Sequence, residues 1–473
     1  MSLTGLTFFL FLPICISIYF VIPARYRYVW LLFCSYFFYA NLSSSFTTLL
    51  IFSTLITWIC GNFIYNTESI SAKRAIMFAG LIINIAPLII FKYGDFFLSL
   101  VHSETHLNLI LPVGISFYTF QSLTYIFDCY SKKCAPEKNI FKYALFVSFF
   151  PLIMSGPIER ASRLLKEFDK ESTFDTIRAK DGLKQMLFGY FVKMVIVSRL
   201  TLLTNAVFAD YLNKSTLAIL IALFAYSIQI YADFSSYSNI AIGMCKIMDI
   251  NIMKNFNNPY FATSVSDFWR RWHISLSTWF RDYLYIPLGG NRKGTIRKYI
   301  NIMIVFLVSG LWHGANLTFV LWGFLNGFYQ VVGDLLKPAK AKVSSKLSES
   351  ANATLSKVIT FLLISYTWVF FRAPSIQDAL MISKRIFINE RFADLSLQGI
   401  YGLQLGLKNL PFVIVAIAML IIADVICEKR KIEVHELLCE VKTPVRWTVY
   451  YIMIVMILLS MNLNMTEFIY SGF

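Results

Sequence analysis

Residues 255–294 read NFNNPYFATSVSDFWRRWHISLSTWFRDYLYIPLGGNRKG, and residues 307–319, beyond an apolar run, read LVSGLWHGANLTF. Asp267, Arg270, Arg271, Arg281 and Asp282 stand with His273 among Trp, Phe, Leu and Ile. At the bilayer centre each Arg or Asp costs about 2.5–3.5 kcal/mol, so five of them facing lipid would cost over ~10 kcal/mol. A lipid-facing span is excluded. The segment either lies at the interface, its arginines reaching headgroups, or folds into a protein-lined, partly wet cavity. Asp267 precedes Arg270 and Arg271 by three and four residues, so on a helix it can pair with them and lower the cost of burial. The break at Pro287, Gly289 and Gly290, followed by Asn-Arg-Lys-Gly, marks a re-entrant element that ends on a basic side.

Around this segment the chain is overwhelmingly apolar. Hydrophobic residues make up 57% of 473 positions and the mean hydropathy is +0.61. At about 20 apolar residues per crossing this is material for roughly ten or more helices. Apolar runs fall near 6–22, 28–42, 45–64, 75–91, 109–128, 140–156, 183–212, 216–248, 298–330, 356–372, 409–426 and 445–462. They run unbroken instead of alternating in short strands, which argues against a β-barrel. The fold class read from this pattern is an all-α polytopic membrane protein, one domain over 1–473. Met1 to Phe20 lacks a basic leader and a small-residue cleavage site, so it reads as a retained first span.

Basic residues set an orientation. Arg25 and Arg27, Lys73 and Arg74, and Lys132, Lys133 and Lys138 occupy alternate connections, against Lys92 alone in the others. Seven against one places the N-terminus outside. The basic stretch 158–184 then reads as a cytoplasmic or interfacial segment, and run 140–156 is expected to dip and return instead of crossing. Lys429, Arg430, Lys431, Lys442 and Arg446 precede the last run, so the 463–473 tail is expected outside, an exoplasmic C-terminus. The net charge of +16 is thus topology, and it does not point to nucleic acid. The eight cysteines form no CxxC pair and mostly sit in apolar runs, the pattern of small buried hydrophobes. No metal site is expected.

His313 lies near the middle of run 298–330. A histidine at bilayer depth is a functional candidate, because a neutral imidazole can take a proton from a hydroxyl near neutral pH. Gly310 and Gly314 would let another backbone approach closely. Ser309 and Asn316 are expected on the same helical face as His313 and beside Trp312. Asp233, in YADFSSYSN at 231–239, should pair inside the bundle with one of the arginines above. ILPVGISFYTFQ at 110–121 reads as a helix broken by Pro and Gly that lines a cavity. His102, His106 and His435 fall in polar flanks and are expected to be solvated.

At these residues the chain resembles the membrane-bound O-acyltransferases, in particular the bacterial branch that acetylates alginate and peptidoglycan or D-alanylates teichoic acid. The match is carried by ILPVGISFYTFQ at 110–121, SGPIER at 155–160, YADFSSYS at 231–238, NPYFATSVSDFWRRWHISLSTWFRDYLYIPLGGNR at 258–292 and LWHGA at 311–315. Ser236 and Asn239 depart from the usual Gly and Asp. The resemblance implies a ring of about 11–13 helices with re-entrant segments and a central tunnel. It makes His313 the catalytic base and His273 its companion, with Asp233, Asp267, Arg270, Arg271, Ser309, Trp312 and Asn316 in support. The ending FIYSGF at 468–473 is similar to a FIYxxF tail, which makes Tyr470 a candidate acyl carrier.

The expected activity moves an acetyl group from a cytoplasmic thioester, acetyl-CoA or an acyl carrier, onto an extracytoplasmic polysaccharide such as peptidoglycan or an alginate-like polymer. Arg292 and Lys293 are candidates for binding donor phosphates. No cofactor is bound; the thioester is a substrate. A periplasmic or extracellular acetyltransferase is the expected partner, in a bacterial inner membrane. Two rival readings use the same residues: a transporter or channel for the acyl donor or polysaccharide, and an acyltransferase acting on a lipid, a protein or teichoic acid.

Overall fold

Hydrocarbon offers no partner to a backbone N–H or C=O, so a chain this apolar satisfies those groups within helices. The computed structural model describes residues 1–101, 107–388 and 406–461, and among these it contains helices, turns and loops but no strand. Seven helical stretches of the described residues are long and apolar enough to cross a membrane. The chain resolves into two compact units, the first comprising the described parts of Met1–Leu187 with Tyr237–Lys254, the second Phe188–Ser236 with the described part of Asn255–Thr466.

The first unit opens with α1 (Leu6–Val21), α2 (Arg27–Ser43), α3 (Thr47–Asn66) and α4 (Ile70–Leu88). A π turn at Ile89–Tyr93 leads from α4 into α5 (Gly94–Leu100). Large apolar side chains on these helices, Phe63, Phe78 and Ile82 among them, face outward, as a lipid-exposed surface requires. The inward faces are joined by hydroxyls and amides. Ser53 Oγ donates to Asn84 Oδ1 at 2.6 Å, and Asn84 Nδ2 donates to Ser122 Oγ at 3.2 Å. Ser122 belongs to α6 (Ile115–Tyr130), which is buried along nearly its whole length. The Pro-Gly break before α6 puts Gly114 in the left-handed region, φ +74°, where a Cβ would collide with the Ile153 carbonyl. α6 is therefore a core helix of this unit.

Run 140–156 supplies only the nine residues of α7 (Ile140–Ser148) before turning back through 149–155. Nine residues rise ~14 Å, about half a bilayer core. The expected dip and return is what forms. α8 (Ala161–Glu167) follows, and the buried Glu159 carboxylate just before it accepts a hydrogen bond from the Met253 backbone N–H.

α9 (Thr176–Phe191), a π turn at Val192–Val197 and α10 (Ser198–Ala209) make one continuous helical stretch that enters the second unit. α11 (Thr216–Ile247) begins in the second unit and ends in the first. The second unit continues with α12 (Val265–Arg271) and α13 (Ile274–Phe280), each of seven residues. The long helices α14 (Thr295–His313) and α15 (Leu317–Leu335) follow. A short α16 (Lys337–Ser344) occupies the polar linker before α17 (Glu349–Arg372) and α18 (Ile376–Phe387). α19 (Gly406–Arg430) and α20 (Thr443–Ser460) complete the described chain.

α14 and α15 correspond to the single run 298–330, and they pack as a tight hairpin. A Cβ on Gly310 would strike the Phe319 carbonyl, and one on Gly323 the Phe306 carbonyl. Small residues let the two backbones touch, as expected for Gly310, whereas Gly314 is packed against the Phe319 ring and not against backbone.

Candidate active site

The charged segment 255–275 is neither a span nor a simple interfacial helix. Asn255 holds its two ends together. Its carbonyl accepts from Ile274 N–H at 2.9 Å, and its side-chain oxygen accepts from Ser275 N–H at 3.2 Å and Ser275 Oγ at 2.6 Å. Ser264 caps α12 by accepting from Asp267 N–H at 3.1 Å. α12 then stops at Trp272, and His273 adopts φ +43° before α13 begins. Histidine is among the non-glycine residues that tolerate this left-handed conformation. The kink explains why the stretch has no helical periodicity long enough to read as a crossing.

The charges pair as half of the expectation held. Asp267 meets Arg271 at 3.2 Å. Arg271 also places one nitrogen 3.1 Å from both oxygens of Glu428, on α19, 157 residues away. Glu428 in turn accepts from Asn258 Nδ2 at 3.3 Å and Lys431 Nζ at 3.1 Å. Arg270 does not share Asp267; it points to the other side of α12 and borders a cavity.

His273 and His313 come together around one indole. His273 is 1% exposed and His313 2% exposed. The Trp312 ring centre lies 6.0 Å from that of His273 and 4.8 Å from that of His313. Phe234 meets His273 edge-on at 4.6 Å. Trp322 and Phe371 pack at 5.0 and 5.2 Å from His313. His313 is not in mid-helix: it is the last residue of α14, and the chain turns at Gly314. Asn316 therefore does not share its helical face. It starts α15, accepting from Thr318 N–H at 3.0 Å and donating to the Pro374 carbonyl at 2.8 Å. Asn is a favoured N-cap residue, and Asn316 fills that position here.

A cavity of about 590 Å³ opens within the second unit. Lys298, Ile302, Val305, Phe306 and Ser309 line it as one stripe of α14, and Tyr329, Gln330 and Asp334 line it from α15. Arg270, Arg281, Lys298 and Lys337 also line it. Asp334 offsets part of that charge, at 2.6 Å from Lys298 and 2.5 Å from Lys337. From Lys298 to Ser309 the stripe climbs ~16 Å, and Ser309 stands ~6 Å, one turn, below His313.

Other candidates fall elsewhere. Arg292 and Lys293 are exposed on the turn after Gly290 and border no part of that cavity. Asp233 pairs with Lys193 on the π turn between α9 and α10, at 2.6 Å, with both side chains buried, a partner other than the arginines expected. A lysine inside the apolar run FVKMVIV at 191–197 was the overlooked signal, since an intramembrane cation needs a partner. His435, expected to be solvated, is buried. Tyr470, the 463–473 tail, His102 and His106 lie outside the described residues. Among the described residues no group of three or more His, Cys, Asp or Glu side chains could hold a metal.

Two buried imidazoles lie in the same unit as a cavity lined partly by cations, and comparison with known proteins gives the class of the protein. The model of the membrane-bound O-acyltransferase family matches residues 137–373, a stretch holding both histidines, the re-entrant segment and the cavity. The chain belongs to that family and is an acyltransferase. It is 35% identical over 423 residues to a probable alginate O-acetylase of Pseudomonas aeruginosa, covering 86% of this chain and 79% of the other. A peptidoglycan O-acetyltransferase of Helicobacter pylori is 37% identical over 423 residues, covering 80% and 78%. A teichoic acid D-alanyltransferase of Bacillus subtilis is 28% identical over 315 residues, covering 63% and 78%.

Proposed function

We propose that this protein moves an acetyl group from a cytoplasmic thioester to an extracytoplasmic polysaccharide, with His313 as general base. The observation that carries the reading is the cavity. It is lined by Arg270, Arg281, Lys298 and Lys337 and by one face of α14 up to Ser309, one helical turn from His313. A donor such as acetyl-CoA has anionic phosphates at one end and a thioester at the other, so cations at Arg270, Arg281, Lys298 and Lys337 suit its head. These four take the place of Arg292 and Lys293 as donor-binding residues. The positive-inside bias of the basic connections supports a cytoplasmic rim.

In the reaction, His313 accepts the proton of an acceptor hydroxyl arriving from the opposite side. The oxygen attacks the thioester carbonyl, the tetrahedral intermediate collapses, and the departing thiolate recovers the proton from His313. His273, across Trp312, polarises the carbonyl or steadies the oxyanion. The hydroxyl belongs to Tyr470 as a transient carrier, and a periplasmic acetyltransferase then delivers the group to a polymer of the alginate or peptidoglycan kind. The similarity to a D-alanyltransferase of teichoic acid supports a second reading, in which the acyl group is D-alanyl.

Bacterial inner-membrane vesicles carrying the full chain, supplied with radiolabelled acetyl-CoA, test this. Wild-type protein should transfer label to itself or to polymer, and His313→Ala should reduce transfer by 10²-fold or more, on the order general-base catalysis contributes, with insertion unchanged. Wild-type transfer by His313→Ala would refute the base assignment.

A further inference from the structure

We propose that Trp269 is the sieve that limits the length of the acyl group, an inference that rests on the donor reading of the cavity. The indole lines the cavity and stacks edge-on against Phe306 at 5.4 Å and against Trp322 at 5.5 Å. Trp322 does not border the cavity, is 0% exposed, and packs against His313 at 5.0 Å as well as against Trp269. Trp269 and Trp322 thus form a ring-to-ring line from the cavity to the imidazole. An acyl group that reaches His313 along this line has to displace one of them.

Trp322 is wedged by Trp368 and Phe371 as well as by His313 and Trp269, and Phe306 is buried in α14. Trp269 is the partly exposed member of the group. Its polar tether is a 3.2 Å hydrogen bond from Nε1 to Asn326 Oδ1, while Asn326 is anchored to the Trp322 carbonyl at 2.9 Å. Trp269 is thus the ring that gives way, by a small rotation about that tether. A two-carbon acyl group fits the space such a movement opens. Each further methylene has to be seated where a close-packed aromatic wall stands, and a hydrophobic pocket discriminates by about 10–200-fold per methylene.

The test uses the full chain in vesicles with acetyl-, butyryl- and hexanoyl-CoA as probes. Trp269→Leu should raise the butyryl-to-acetyl ratio of kcat/KM at least tenfold. Asn326→Leu keeps the side-chain volume but frees the indole, and should raise the ratio by a smaller factor, above threefold. The Asn326 variant carries the test if Trp269→Leu does not insert. A ratio that changes less than threefold in the inserted variants, with acetyl transfer retained, overturns the sieve and leaves the donor reading standing. Loss of transfer from all three thioesters in an inserted Trp269→Leu protein also overturns it, since the indole would then be required for transfer itself. Wild-type protein that transfers no acyl group from any probe overturns the donor reading, and the sieve with it.

Discussion

Replacing Lys193 with Met takes away the ammonium 2.6 Å from the Asp233 carboxylate, where the two side chains are 3% and 1% exposed. Water does not replace the lost partner at such depth. At an effective dielectric of about 20, unit charges at that distance attract by ~6 kcal/mol. Several kcal/mol of desolvation per ion offset most of this, so the pair adds little net stability, yet breaking it costs about 3–5 kcal/mol. Lys193→Met should destabilise the protein by that amount, while Lys193→Met/Asp233→Leu, which removes both charges, should recover most of it. Phe234 follows Asp233 and packs on His273, so acyl transfer should fall in the single variant and return in the double. Reversible unfolding of the purified protein in mixed detergent micelles, alongside transfer rates, measures both. A single variant within about 1 kcal/mol of wild type, or a double variant as unstable as the single, would refute the argument from buried charge.

Gly310→Ala places a methyl against the Phe319 carbonyl and should cost about 1–3 kcal/mol as overpacking; transfer should drop with it, because the hairpin that seats His313 is forced apart. Asn255→Leu removes the acceptor of two hydrogen bonds from Ser275, a loss of about 1–3 kcal/mol. It should lower kcat more than it raises KM, through the orientation of His273, and an unchanged kcat counts against that positioning role. Arg270→Ala with Arg281→Ala should raise KM for acetyl-CoA and leave kcat nearly unchanged. The difference from wild type should shrink as salt screens the remaining charge, and a KM equal to wild type at low salt would move the donor head elsewhere.

Much was settled by residue order alone. Transfer of apolar side chains out of water follows local composition, so the helical class and the dip at 140–156 could be read along the chain. The cost of charge in lipid likewise forced residues 255–294 out of any simple crossing. Gly310 announced a close approach, and His273 and His313 stood out as the polar candidates of the region. What tertiary structure decided was partnership. Asp233 meets Lys193, and Arg271 reaches Glu428 across 157 positions, because the rotation and offset of packed helices select which side chains face each other. The break after His313 was a local event within a continuous apolar run, where a three-residue turn hardly changes hydropathy. The cavity is bordered by Arg270, Arg281, Lys298 and Lys337 and not by Arg292 or Lys293 for the same reason: these residues share a surface only after the elements that carry them have packed, and no periodicity along the chain encodes that surface.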